Sequence, residues 1–386
     1  MSSDELLTRG VKDVVPKDLG EKKLKCGEKL RIYMGIDPTG SHLHIGHSVP
    51  LRKLQHFCDA GHEVIFLIGS FTAMIGDPTG RDKMREPLTK EQVKKNFETY
   101  KEQAGKILDF TKVKIRFNDE WLAALSPIKF MEISSHFTVQ QMMQRDMFKE
   151  RLKRDEDLSP TEFMYPIMQG YDSVVLDVDF EIGGNDQLFN MLCGRKLQKA
   201  YSKRDKCVLT TKLIEGIDGR KMSKTYDNCI YLDDSPKDMY GKTLSIKDDL
   251  ITTYMECCTN IPMDEVQKIE NKMREGTNPK EYKMRLAREL VTDYHSADAA
   301  IKAEEEFNAV FTKGGIPEDM PEVKAAKGEL LIDLLLRAEV VASKSEARRL
   351  IDQKAVSIDG VTVELQDHTA EKGIVKVGKR KFVKII

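Results

Sequence analysis

Two short stretches of this chain carry residue types suited to handling phosphate. His44, Ile45, Gly46 and His47 follow a strand-like run and open a helical pattern. Lys221, Met222, Ser223, Lys224 and Thr225 lie far downstream on a polar, turn-rich segment. A helix that starts after a parallel strand points free amides and the positive end of its dipole at a ligand. His44 and His47 are one turn apart, so both can reach the same group. Gly46 would let the backbone lie close to a nucleotide. Two lysines on a mobile loop can close over a triphosphate as the transition state forms. The pair of stretches therefore predicts a site that uses ATP to build an adenylate. Its hydrogen bonds would oppose charge developing on the α-phosphate and on departing pyrophosphate.

The elements that must position these groups are readable nearby. Residues 30–36 alternate and read as a strand, which Asp37, Pro38, Thr39 and Gly40 break. Ser41 or His42 is expected to cap the following helix, whose apolar positions are Ile45, Val49, Leu51 and Leu54. A third cluster runs from Tyr165 to Asp172. Pro166 is expected in the first turn of its helix, with Tyr165, Gln169 and Asp172 on one face. A fourth cluster runs from Phe180 to Gln187. Its Gly183 and Gly184 are expected at the carboxyl end of a strand, where open α/β sheets bind ligands.

Composition bounds the remainder. The chain has 386 residues, 40% hydrophobic and 32% charged, which suits two or three folded domains with a sizeable core. A net charge of −1 gives no global pull toward nucleic acid, so any RNA contact must use local patches. The seven cysteines are scattered without a Cys-x-x-Cys pair, so neither a zinc site nor a disulfide framework is indicated, and no protein-bound metal is expected. A reducing cytoplasm fits that usage. No apolar run is long enough to span a bilayer, and the first residues carry no secretory or transit character.

Strand-like runs at 64–68 and 113–117 flank a helical pattern near 91–108, and this alternation predicts a parallel sheet covered by helices. Residues 128–154 interrupt it, with Val139, Met142, Met143 and Met147 at helical spacing. The chain reads helical from about 227 to 311. A Gly/Pro-rich linker is expected at 312–327 and a small separate domain at 328–386. In that last block Ser343 should cap a helix that carries Lys344, Arg348 and Arg349, and Asp359-Gly360 should make a tight hairpin turn. Lys372, Lys376, Lys379, Arg380, Lys381 and Lys384 then follow with no acid between them. The alternatives for this basic tail are an RNA-binding face and an edge strand guarded by lysines.

These motifs resemble the bacterial-type tyrosyl-tRNA synthetases, a class I aminoacyl-tRNA synthetase family, over nearly the whole chain from about residue 30. Thr225 stands where the family commonly has serine, and Met34 and Ile36 differ from the frequent Cys and Phe. The resemblance implies a Rossmann-like catalytic domain at 1–226, a helical anticodon-arm domain at 227–311 and a small α+β RNA-binding domain at 328–386. It implies that segment 128–154 forms a homodimer interface. L-tyrosine would be bound by Tyr33, Asp77, Tyr165, Gln169, Asp172 and Gln187. ATP would be bound by Gly35, Asp37, His44, Gly46, His47, Gly184, Asp186, Lys221 and Lys224. Thr39, His44, His47, Arg81, Arg85, Lys221, Lys224 and Thr225 would act on the phosphates, with Mg²⁺ arriving on ATP. The tRNA(Tyr) partner would meet Lys344, Arg348, Arg349, Lys379 and Arg380. A tryptophan-specific relative and a synthetase-derived RNA-binding protein remain the other readings of the same motifs.

Overall fold

The computed structural model describes residues 3–79, 88–223, 226–311, 320–326, 328–378 and 381–386. Arg81, Arg85, Lys224, Thr225, Lys379, Arg380 and most of the expected linker lie outside the described residues. The chain divides into two compact units, Met1–Ile301 and Lys302–Ile386.

In the first unit, strands β1 (Val11–Val15), β2 (Arg31–Ile36), β3 (Glu63–Ile68), β4 (Lys114–Phe117), β5 (Phe180–Gly184) and β6 (Cys207–Thr211) form one sheet. Their order is β1-β6-β5-β2-β3-β4. Every neighbouring pair is parallel except β1 with β6, so the expected parallel sheet carries one antiparallel edge. The inner strands are buried along most of their length because helices cover both faces. From β2 the chain crosses to β3 on one side, while β5 returns on the other. Connections that diverge in this way open a crevice at the strands' carboxyl ends.

Two helix starts differ from the sequence expectation. The helix Ile45–Asp59 is capped by His44 rather than by Ser41 or His42, and the His44 backbone N–H donates to Nδ1 of His47 at 3.2 Å. The helix bearing Tyr165 runs over Pro160–Leu176, so Pro166 lies in its interior and Pro160 occupies the first turn. Ser159 and Glu162 form a capping box there, a stronger start signal than a proline alone. The interrupting segment folds as three short helices, Pro127–Ser134, Val139–Met142 and Asp146–Lys153. Met142, Ile133 and Phe148 are buried, but Ile128, Met131 and Val139 are largely exposed.

Helices Pro236–Leu244, Ile251–Cys258, Met263–Arg274 and Pro279–Tyr294 complete the first unit. Two buried arginines tie them to the sheet half. Arg9 donates to the carbonyls of Glu256 and Thr259, and Arg52 pairs with Asp293 at 2.7 Å.

In the second unit, β7 (Glu322–Val323), β8 (Val356–Ile358), β9 (Val361–Thr362), β10 (Gly373–Val377) and β11 (Lys381–Ile385) form a sheet in the order β7-β11-β10-β8-β9. Helices Leu331–Arg337 and Lys344–Asp352 accompany it. Leu331, Leu334, Leu335, Ala347, Val356, Val375 and Val383 make an aliphatic core, each large side chain contributing about 1.5–3 kcal/mol on burial. Asp359 and Gly360 both take positive φ, as a two-residue hairpin of type I′ requires. Ser343 Oγ accepts from the Glu346 N–H, the expected cap.

Candidate functional site

A cavity of about 330 Å³ opens at the carboxyl ends of β2, β3, β5 and β6. Fourteen of the residues expected to bind substrate or act on phosphate line it. From the β2 end and the helix after it come Gly35, Asp37, Thr39, His44, Gly46 and His47. Beyond β3 lies Asp77, and the long helix supplies Tyr165, Gln169 and Asp172. Gly184, Asp186 and Gln187 follow β5, and Lys221 comes from the distant polar loop.

The two phosphate-type stretches meet because the backbone joins them. Ile45 N–H donates to the Ile230 carbonyl at 2.9 Å, and Leu232 N–H donates to the Leu43 carbonyl at 2.9 Å. Asn228, almost wholly buried, clamps the lysine loop: its Nδ2 donates to Asp218 Oδ1 at 2.8 Å, and its Oδ1 accepts from Ser223 N–H at 2.8 Å. The Asn228 amide, with the Arg220 N–H and guanidinium, draws the Asp218 carboxyl down to about 2. Lys221 Nζ lies 3.5 Å from Asp186 Oδ2. The His44 and His47 rings stack with centroids 3.8 Å apart. A Cβ on Gly46 would lie 3.0 Å from the His44 ring, so glycine here makes room for that imidazole.

The far end of the cavity is built from buried polar groups that hold one another. Asp172 is 2% exposed, and its two oxygens accept from Trp121 Nε1 at 2.8 Å and Asn118 Nδ2 at 3.3 Å. Burial holds its carboxyl well above the usual carboxylate range, against the pull of those two donors. Tyr165 donates its hydroxyl to Asp37 Oδ2 at 2.9 Å, and burial beside Asp37 and Asp77 pushes that phenol up. Asp77 accepts from Gln187 Nε2 at 2.7 Å and from the Thr79 hydroxyl at 2.6 Å. Tyr33 is fully buried and does not line the cavity wall. Its hydroxyl sits 3.0 Å from Ser173 Oγ.

Several participants went unmarked in the sequence. Asn118 and Trp121 follow β4, and Trp121 is the chain's single tryptophan, which was the available signal. Glu181 lines the cavity from β5 and accepts from Gln169 Nε2 at 3.3 Å. Arg145 lies between two of the short helices, stacks on Phe148 and Phe189, and donates to Thr79 Oγ1 at 2.6 Å. It thereby reaches Asp77 through one intermediary. Nothing local in the sequence marks that role, because the bond spans 66 positions.

In the second unit Lys344, Arg348 and Arg349 are exposed on one helix. Lys344 pairs with Asp333 at 2.6 Å, and Lys384 with Glu322 at 2.7 Å. Lys376 and Lys384 lie on β10 and β11, which have neighbours on both sides, so they are not guards of a sheet edge. Among the described residues no group of three or more His, Cys, Asp or Glu side chains is placed to hold a metal. None of the described helices is long and apolar enough to cross a membrane.

A nucleotide-type crevice at the ends of a parallel sheet, with a histidine-capped helix and a lysine loop, defines a class I tRNA synthetase. Residues 25–312 match the family described as tRNA synthetases class I (W and Y), and the chain belongs to that family. Residues 312–385 match the tyrosine–tRNA ligase SYY-like C-terminal domain. The chain is 47% identical to a tyrosine–tRNA ligase of Desulfotalea psychrophila, over 99% of this chain and 97% of the relative. It is 45% identical to that of Thermotoga maritima, over 99% and 96%. Among solved structures it resembles a C-terminally truncated mitochondrial tyrosyl-tRNA synthetase of Aspergillus nidulans. That match has a TM-score of 0.68 and 26% identity over 80% of this chain and 94% of the other. The chain is thus a member of the tyrosine–tRNA ligases, which use ATP as a substrate.

Proposed function

We propose that the buried end of the cavity reads L-tyrosine and the mouth holds ATP with its Mg²⁺. The phenol hydroxyl would meet Asp172, with Tyr33 close behind it. The ammonium would sit among Asp77, Tyr165 and Gln169, where carboxylate and amide oxygens offset its desolvation. Gln187, bonded to Asp77, would lie toward the carboxyl group. Gly35, Asp37, Gly46, Gly184 and Asp186 would border the adenosine.

The tyrosine carboxylate then attacks the α-phosphate, giving tyrosyl-adenylate and pyrophosphate, and the 3′ end of tRNA attacks the adenylate carbonyl. Positioning and electrostatics supply the acceleration. Thr39 and His44 would hold the γ-phosphate and His47 the α-phosphate side. Lys221, Lys224 and Thr225 would close from the opposite wall, with Arg81 and Arg85 assisting. For Lys221 this means leaving Asp186. The observation that carries the reading is the floor itself. Asp172 is held by two donors in a dry pocket, which suits a ligand group able to hydrogen-bond and penalises one that cannot.

Pyrophosphate exchange run separately with tyrosine, tryptophan and phenylalanine tests this. Tyrosine-dependent exchange is expected, and exchange driven by tryptophan instead would overturn it. The exposed Ile128, Met131 and Val139 support a homodimer through segment 128–154. Ile128→Asp with Val139→Asp should then give a monomer in sedimentation. The cysteines, all free, fit a cytoplasmic setting. Segment 227–311 and the unit ending at 386 would contact tRNA(Tyr), the latter through Lys344, Arg348, Arg349, Lys379 and Arg380.

A further inference from the structure

Behind the Asp77 wall of the cavity lies a charged group that the mechanism above does not use. Arg145 immediately precedes the helix Asp146–Lys153 and is 7% exposed. Its guanidinium lies 5.4 Å from the centre of the Phe148 ring and 5.1 Å from that of Phe189. Its Nη2 donates to Thr79 Oγ1 at 2.6 Å. Arg145 and Thr79 both stand outside the cavity lining, whereas Asp77 is part of it.

A guanidinium taken out of water needs an anion nearby. Burial pulls Arg145 below its ordinary range, and Asp77 is the carboxylate that most offsets that loss. A cation buried among phenyl rings is a poor way to gain stability compared with an apolar side chain of similar volume. Its placement against the Asp77 turn therefore points to a role in the site.

Donor inventory gives the chain of bonds a direction. Arginine has donors and no acceptor, so Thr79 Oγ1 accepts from Arg145. Asn190 Nδ2, the other neighbour of that oxygen at 3.5 Å, is also a donor. The Thr79 hydroxyl proton goes to Asp77 Oδ1 at 2.6 Å, and the Thr79 N–H donates to the same oxygen at 2.9 Å. Gln187 Nε2 holds Asp77 Oδ2 at 2.7 Å from the other side. The Asp77–Thr79 contacts are those of an ordinary turn. Arg145 adds the long-range restraint, because it reaches the turn from 66 positions away.

On the reading of Asp77 as a partner of the substrate ammonium, we infer that Arg145, acting through the Thr79 hydroxyl, is a positioning residue that fixes the Asp77 carboxylate for that ammonium. Arg145 does not touch the substrate. It transmits the packing of the segment between helices Val139–Met142 and Asp146–Lys153 to the cavity wall.

The test uses the full chain and compares wild type with Arg145→Met, Thr79→Val, Thr79→Ser and Asp77→Asn. Pyrophosphate exchange gives KM and kcat for tyrosine. Competition with tyrosine gives inhibition constants for tyramine, which keeps the ammonium, and for 3-(4-hydroxyphenyl)propanoate, which lacks it. Arg145→Met and Thr79→Val should each raise KM for tyrosine about tenfold, the scale of one hydrogen bond, with kcat little changed. Tyramine should weaken by a similar factor, and the propanoate should bind as it does to wild type. Thr79→Ser keeps the hydroxyl and should restore values close to wild type. Should Arg145→Met fail to fold, the two Thr79 variants still decide the matter. Equal weakening of both inhibitors, no change in either, or a serine variant as impaired as the valine one overturns the role of Arg145 alone. Unchanged tyramine binding in Asp77→Asn overturns the ammonium placement and, with it, the role of Arg145.

Discussion

The two units of this chain handle charge in opposite ways. In the first, Asp172, Glu181 and Lys206 are nearly or wholly removed from solvent and bonded to one another or to Trp121, Asn118 and Ser173. In the second, the core is aliphatic throughout, and Lys344, Arg348, Arg349 and Lys376 stand exposed. On the proposed reading the difference follows from the ligands. A small substrate that must be told from a near-isostere needs polar groups kept dry, because an unmatched buried group costs about 1–3 kcal/mol. A polyanion needs cations it can reach, and there each neutralised phosphate gains by releasing counterions.

The sharpest way to break this contrast is at the pocket floor. Asp172→Ala should abolish preference for tyrosine over phenylalanine, measured as the ratio of their kcat/KM values in exchange. Tyrosine-specific synthetases are themselves the reference case for such discrimination, at about 10⁵, so the figure belongs to that case and not to this cavity. A variant that keeps its selectivity would remove Asp172 from recognition.

Next in size is the loop. Lys221→Ala should slow adenylate formation by about 10²-fold, the scale of removing one transition-state donor, while tyrosine affinity stays nearly intact. Rapid-mixing fluorescence at saturating ATP reads both quantities. Weakened tyrosine binding at a normal activation rate would refute the assigned role. Lys224→Ala should behave in the same way.

The second unit is tested by removing residues 328–386. Exchange should survive and tRNA charging should fail, since among the described residues every group lining the cavity precedes residue 223. Reversing Arg348 and Arg349 to glutamate should lower tRNA affinity and flatten its salt dependence, by about 0.7–0.9 in log–log slope for each phosphate that is no longer neutralised. A truncated chain that charges tRNA as well as the whole one would show that the basic residues serve solubility instead.

The smallest expected effect concerns stability. His56 is held down to about 3 by burial and by the nearby Lys53 and Arg9 cations. Its folded value lies below the unfolded 6.5, so the unfolded chain binds the extra proton between them. Its contribution to stability is present above pH 6.5 and is lost as pH falls toward 3. His56→Gln should therefore flatten the fall of Tm across that window. An unchanged acid limb would show that His56 titrates normally in the folded protein.

Much of the fold was legible because its signals are local. β2, β3 and β4 stand where the strand-like runs lie, the helix after β2 buries Ile45, Val49, Leu51 and Leu54, and the Asp359-Gly360 turn closes its hairpin. Helix starts were less secure. Pro166 and Pro160 both satisfy the local rule, and the Ser159–Glu162 capping box decided between them. His44 became a cap because its backbone neighbour bonds to Ile230, far along the chain.

What the residues determined by themselves was the chemistry on offer: two histidines at a helix start, a lysine loop, and a tyrosine, glutamine and aspartate on one helix face. These follow from short-range periodicity and side-chain type. What only the tertiary structure decided was which groups share a dry volume. Trp121 on Asp172, Arg145 behind Asp77, and Lys206 with Glu181 beneath Tyr33 are pairings between elements distant in sequence. Their energies come from desolvation and fixed geometry, and neither exists until the sheet and its covering helices close around them.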